Sequence, residues 1–298
     1  MKNTNNLCGE SGYLALLESV IKHGNFQESR AGNIYCLFDG KLWFDERNPP
    51  IFRSRKINYR YSFEEFWFFL NGKTQTKELE EKGIKFWQGN TSREFLDNRG
   101  LHHLSEGDMG KAYGYQFRNY QDHVDQLTKV YELLKNDPTT RRAYVTFWNP
   151  SQEQDMALPP CWHSHQFVVI GDTLNLKVLN RSLDVLYGAP FAVFQYWVYF
   201  IAMAKLLKLK VGFMSCDLSH IHVYENQVEY IKEYLTHSKD NIERIINPWW
   251  KDNSLNVEIK KDLNSLDDLL NLTWDDIVIN GLEQLDFKAK AKKPKMAV

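Results

Sequence analysis

The chain has 298 residues, 43% of them hydrophobic and 14% aromatic, enough for one large core or for two modest domains. Its 37 lysines and arginines stand against 38 aspartates and glutamates, a formal net charge of −1 that excludes a protein coating nucleic acid through bulk basic excess. Cys8, Cys36, Cys161 and Cys216 are widely separated and form no CxxC pair, which excludes a disulfide scaffold and points to a reducing, cytoplasmic setting.

In chain order, the first residues, Met1 to Asn6, are polar and lack the apolar core of a signal peptide; about 1–10 reads as a flexible N-terminus. Tyr13, Leu16, Leu17, Val20 and Ile21 recur at helical spacing, with Gly24 as the stop. A loop, Glu28 to Asn33, precedes a strand at Ile34–Phe38, and Asp39-Gly40 reads as a hairpin turn. Phe63 to Leu70 is a dense aromatic helix closed by Asn71-Gly72. It holds Glu64 and Glu65, one facing solvent and the other inward, where a carboxylate needs a partner or a function. Trp87 to Leu104 lacks periodicity and reads as a long loop. Gly107 to Gly114 places Tyr113 between glycines, where backbone approaches a ligand closely.

Val124, Leu127, Val130 and Leu134 mark an amphipathic helix ended by Asp137-Pro138. Arg141-Arg142 follow on an extended segment, side chains to opposite faces, before a buried strand at Ala143–Trp148. Gln166–Ile170 and Leu174–Leu179 form a hairpin across Gly171-Asp172. The apolar run Ala189–Ala204 falls short of the roughly 20 residues of a membrane span and reads as a core helix. His220 to Tyr224 opens a further helical pattern through Val228 and Ile231. A short helix at Leu266–Leu270, a strand at Ile277–Ile279 and a basic tail from Lys288 to Val298 complete the chain. No internal repeat or linker divides it, so the reading is one α/β (α+β) domain over 1–298, a mixed sheet flanked by helices.

The chemistry concentrates at Leu158-Pro159-Pro160-Cys161 and, after the hairpin, Asn180-Arg181-Ser182-Leu183-Asp184. The prolines stiffen the approach to one thiol, and Arg181 is a positive charge able to lower its pKa. Two period-two sets, Cys161/His163/His165 and His220/His222, are rival metal ligands, but Trp162 interrupts the first and no fourth ligand is indicated, so no metal is expected.

Several motifs together resemble the folate-dependent thymidylate synthase family from about Tyr13 to Val298. They are Leu158-Pro-Pro-Cys161, Arg181-Ser182-x-Asp184, Gly188-x-Pro190-Phe191, Tyr113-Gly114-x-Gln116-x-Arg118, Asp137-Pro-x-x-Arg141-Arg142, Trp148-Asn149-Pro150, His222-x-Tyr224-x-Asn226 and terminal Met296-Ala297-Val298. The resemblance implies a pyrimidine nucleoside monophosphate substrate, 5,10-methylenetetrahydrofolate as one-carbon donor, and a homodimer formed through the sheet. It makes Cys161 the nucleophile, Tyr113 the group at the C5 proton and Glu65 the organiser of proton transfers. Arg30, Arg141, Arg142, Arg181 and Ser182 match the phosphate set, with Arg141 and Arg142 crossing to the partner subunit. Trp162, Asp184, Ala192, His222 and Tyr224 fall at base and sugar positions. Phe86, Trp87, Asp184, Gly188, Phe191 and Val298 fall on the folate side, the tail 288–298 closing over the site.

Four departures bear on the reaction. Uracil-specific members carry asparagine where Ala192 stands, and most carry histidine at Trp162. The family's Gly-Pro becomes Gly110-Lys111-Ala112, and Ala31-Gly32-Asn33 replaces threonine-glycine after Arg30. Ala192 can neither donate nor accept, which removes a device that rejects cytosine, although the carboxylate of cytosine-specific hydroxymethylases is missing too. The expectation is 5-hydroxymethylation of dCMP or CMP. Thymidylate synthesis, dUMP hydroxymethylation and a non-catalytic nucleotide-binding homologue stand as alternatives, and a phage or a nucleoside biosynthesis cluster as possible settings.

Overall fold

The computed structural model describes residues 8–246 and 255–294. Helix α1 (Gly9–His23) buries Tyr13, Leu17 and Val20 along one stripe. It starts at Gly9, so of the flexible segment expected over about 1–10, Gly9 and Glu10 are helical and buried. The Glu10 carboxylate accepts from the backbone N–H of Arg53 and of Ser54, each at 2.8 Å.

Strands β1 (Asn25–Gln27), β2 (Ile34–Phe44), β3 (Tyr144–Thr146), β4 (Trp162–Ile170), β5 (Thr173–Asn180), β6 (Leu183–Asp184) and β7 (Lys210–Tyr224) form a seven-stranded mixed sheet. Its order is β1-β2-β7-β5-β4-β3, with β6 beside β7. β4 and β5 are the expected hairpin, whereas β5 and β7 run parallel. Parallel neighbours need a crossover, and helix α7 (Gly188–Leu207) supplies it. Every α7 residue from Ala189 to Ala204 except Phe191 is buried, so its apolar length covers the sheet as core. Helix α2 (Tyr59–Leu70), capped by Asn58, packs beside it; α3 (Lys77–Glu81), α4 (Arg93–Asn98), α5 (Tyr113–Asn119) and α6 (Gln126–Asn136) follow. Helices α8 (Val228–Asp240) and α9 (Ile242–Ile246) precede a separate hairpin of β8 (Asn256–Ile259) and β9 (Ile277–Asn280).

Phe117 on α5 is fully buried against Phe66, Phe147, His165 and Tyr199. Phe117→Ala opens a cavity there and is expected to cost about 3–5 kcal/mol, read as a lower denaturant midpoint at unchanged slope.

Several local readings change. Asp39-Gly40 is not a hairpin turn: β2 continues through it, Asp39 at φ 62°, paired with β7 in the same register on either side. His220–Tyr224 ends β7 rather than opening a helix, because its backbone pairs with β2 and β6; the helix starts at Val228. The long loop after Trp87 contains α4, whose N-cap Ser92 accepts from Phe95 N–H. Ala143, Val145 and Phe147 are buried but Tyr144 is exposed, so β3 is a half-buried edge strand. Gly114 packs closely on backbone: a Cβ there would lie 2.2 Å from Lys73 O.

Candidate active site

A cleft of about 550 Å³ opens between α2, the start of α7, the residues before β4 and the end of the described tail. That size suits a small-molecule site. It gathers Cys161, Glu65, Tyr113, Trp162, Ser182, Asp184, Gly188, Phe191, Ala192, Phe86, Trp87 and Tyr224 in one lining.

Cys161 sits at the entry to β4. Arg181 N–H donates to Cys161 O at 2.9 Å, and the Arg181 guanidinium donates to Pro160 O at 2.9 Å and Pro159 O at 2.8 Å. Arginine thus ties down the carbonyls of the stiff step that presents the thiol, and lies over the Trp148 ring at 5.4 Å. Its charge does lower the thiol pKa, but burial is the larger effect and leaves Cys161 above the ordinary thiol value. Arg181 thus acts on the thiol as its charge suggests, but burial outweighs it and favours the thiol form in the free protein.

Tyr113 begins α5, its ring stacked on Phe69 at 4.9 Å. Its hydroxyl oxygen accepts from Cys161 N–H at 2.8 Å, linking the two groups directly. Burial, followed by the nearby Cys161, raises the phenol above its usual range.

Glu65 is the inward carboxylate of α2. Trp87 Nε1 donates to its Oε1 at 2.7 Å, and Gln195 Nε2 donates to its Oε2. Burial outweighs both donors and raises Glu65 from 4.5 to about 7. Glu64 faces outward and pairs with Lys82. Gln195 was not singled out as a site residue; its signal was a lone amide within the apolar run of α7.

Other residues stand differently. Asp184 lines the cleft, but Oδ1 accepts from Leu186 and Tyr187 N–H at 2.9 and 3.1 Å, and Oδ2 from Gln227 at 3.1 Å. His222 is buried behind Tyr224, its Nδ1 3.3 Å from His220 Nδ1; burial, then His220, lowers it to about 4. Arg30 is exposed on a loop whose Asn33 bonds Glu225 at 2.9 Å, next to Tyr224. Arg141 and Arg142 are exposed and do not line this cleft. Lys293 and Pro294 do line it, and Tyr187 Oη donates to Pro294 O at 2.6 Å. Val298 lies outside the described residues. His165 turns into the core among Phe117, Phe147, Phe167, Tyr196 and Tyr199, where burial lowers it to about 3 and keeps it neutral.

One wall of the cleft is aromatic: Phe86 and Phe191 meet edge to face at 5.2 Å, beside Trp87. Gly188 belongs to that wall, and a Cβ there would meet nothing closer than 3.9 Å, so packing does not require glycine. The missing side chain instead leaves that part of the wall open.

A family model described as thymidylate synthase matches residues 11–292. The bifunctional dihydrofolate reductase-thymidylate synthase of Paramecium tetraurelia is 35% identical over 240 residues, covering 76% of this chain and 52% of that protein. The protein of the same name from Leishmania major is 37% identical over 243 residues, 76% of this chain and 47% of that one. The one from Zea mays is 35% identical over 240 residues, with 76% and 46% covered. The chain thus spans about half the length of the curated relatives it matches.

Proposed function

The chain belongs to the thymidylate synthase family, and from that footing we propose that it modifies C5 of a pyrimidine nucleoside monophosphate by one-carbon transfer from 5,10-methylenetetrahydrofolate. The observation that carries this reading is the single cleft in which Cys161 is hydrogen-bonded to Tyr113 and shares a lining with Glu65 and an open aromatic wall.

Phe86, Trp87, Asp184, Gly188 and Phe191 would hold the folate, which supplies a carbon at the formaldehyde level when bound; terminal Val298 completes that set by resemblance. Cys161 Sγ adds to C6 of the base and makes C5 nucleophilic. Since burial keeps Cys161 a thiol, it must pass its proton on as it attacks. Glu65, near half-protonated at neutral pH, is suited to exchange protons at the cleft floor. Tyr113 takes part in removing the C5 proton as a hydroxyl handing protons on, because burial disfavours the phenolate. Ser182 and the arginines receive the phosphate: Arg30 and Arg181 from the same chain, Arg141 and Arg142 from a second copy, hence a homodimer with shared sites. The exposure of Arg141 and Arg142 away from their own cleft supports that assignment. Tyr224 would meet the sugar from the cleft lining, with His222 behind it.

The reading for the base is cytosine and for the product hydroxymethyl: water adds to the transferred methylene and the folate leaves as tetrahydrofolate, whereas hydride from the folate would give methyl and dihydrofolate. Ala192 lines the cleft and offers a ring edge no hydrogen bond, while Trp162 remodels the adjoining wall. Thymidylate synthesis from dUMP is the second reading, favoured by the names of the relatives.

Mass spectrometry of products from dUMP, dCMP, UMP and CMP with methylenetetrahydrofolate, with dihydrofolate followed in the same tubes, separates them. A hydroxymethylated cytosine nucleotide without dihydrofolate is expected. Methylated dUMP with dihydrofolate would establish the second reading, and no product from any of the four would leave a non-catalytic binding homologue. Ala192→Asn, restoring a side chain that donates and accepts, is expected to shift the uracil-to-cytosine preference roughly 10-fold toward uracil. An unchanged preference would show that Ala192 does not set it.

A further inference from the structure

Gln195 is 7% exposed, lines the cleft, and stands one turn after Ala192 on the same face of α7. Its Nε2 is committed to Glu65 Oε2. The ionised form of Glu65 only accepts, so facing it the amide turns an N–H to Glu65 and its carbonyl elsewhere; the opposite orientation would set lone pair against lone pair. Trp87 already supplies the donor to the other carboxylate oxygen, so Glu65 has two fixed donors and holds the amide in register. No described residue donates to Gln195 Oε1. An acceptor that no described residue uses, on a side chain lining a cleft where Ala192 contributes no polar group, is open to a donor from whatever occupies the cleft.

We propose that Gln195 is a specificity-determining residue that reads the 4-substituent of the base, its carbonyl accepting a hydrogen bond from the exocyclic amino group of a cytosine nucleotide. The inference rests on the nucleotide-modifying reading above. With Cys161 directed at C6, the edge across the ring carries N3 and the 4-substituent. At the 4-position cytosine presents an amino donor and uracil a carbonyl oxygen, while at N3 the roles reverse, cytosine accepting and uracil donating. Aimed at the 4-position, the Gln195 carbonyl accepts from cytosine and repels the uracil oxygen, which Ala192 does nothing to relieve. Discrimination thus moves one turn along α7, from position 192 to 195, and uses the amide that also positions Glu65.

The test is equilibrium binding of dCMP, dUMP, CMP and UMP to the full chain without folate, so that lost proton transfer at Glu65 does not enter the readout. Wild type is expected to bind each cytosine nucleotide more tightly than its uracil counterpart. Gln195→Met, similar in length and apolar in an apolar helix, is expected to lower that ratio roughly 10- to 100-fold, mostly through weaker cytosine binding. Gln195→Asn keeps the amide but cannot span Glu65 and the base together, and is expected to lower it as well. A wild-type preference for uracil, a ratio unchanged in both variants, or an equal loss for both bases would overturn the assignment while leaving the family chemistry standing. A wild type that binds none of the four would overturn the nucleotide reading itself.

Discussion

Cys161→Ser is expected to lower kcat on the order of 10⁴- to 10⁶-fold while nucleotide affinity stays within a few-fold. The proposed reaction needs a covalent bond to C6 before C5 can react, and a serine hydroxyl is a far weaker nucleophile than a thiolate. The cation that acts on Cys161 is Arg181, already engaged with Pro159 O and Pro160 O. The geometry should survive, because Cys161 is held by its backbone, its N–H to Tyr113 and its carbonyl to Arg181 N–H. Rapid-quench single turnover beside calorimetric nucleotide titration separates chemistry from binding. Full turnover by the serine variant would remove the covalent route altogether.

The second large effect is expected from Glu65→Gln, with kcat down about 10²- to 10⁴-fold. Glutamine retains shape but neither gains nor releases a proton near neutrality. The wild-type kcat profile should carry an inflection near pH 7, set by Glu65, that the variant lacks. Stability gives an independent reading. Folding raises Glu65 from 4.5 to about 7, so between those values the folded state binds the proton more strongly. The wild type, relative to the variant, is therefore most stable below about pH 4.5 and loses that advantage as pH climbs through 7. The gap corresponds to roughly 3 kcal/mol at most, less where water entering the cleft screens the carboxylate. Chemical denaturation of both proteins at pH 5 and pH 8 measures it; a constant difference would show that Glu65 is not raised.

Much of this protein was legible in one dimension. The β4–β5 hairpin, the aromatic α2 and the apolar α7 follow from periodicity and turn residues close in sequence. The direction of Glu64 and Glu65 was readable only as a pair. A helix buried on most sides must turn one carboxylate inward, but which one depends on Trp87 and Gln195 arriving from elsewhere. Local signals also misled. Asp39-Gly40 has turn chemistry, yet ladder pairing with β7 on both sides holds the strand through it. His220 to Val228 carries helical spacing, yet β2 and β6 claim the backbone of the first five residues.

By itself, the sequence determined the mixed α/β architecture, the family, and the identity of the thiol, phenol and carboxylate that meet in the cleft, because motifs and periodicity are properties of residue type and order. Tertiary structure alone decided the balance at Cys161, where burial overrides Arg181, the role of Gly114 as a contact with Lys73, and the pairing of Gln195 with Glu65 across 130 positions. Desolvation and hydrogen bonding act through space, and only the folded chain sets those distances.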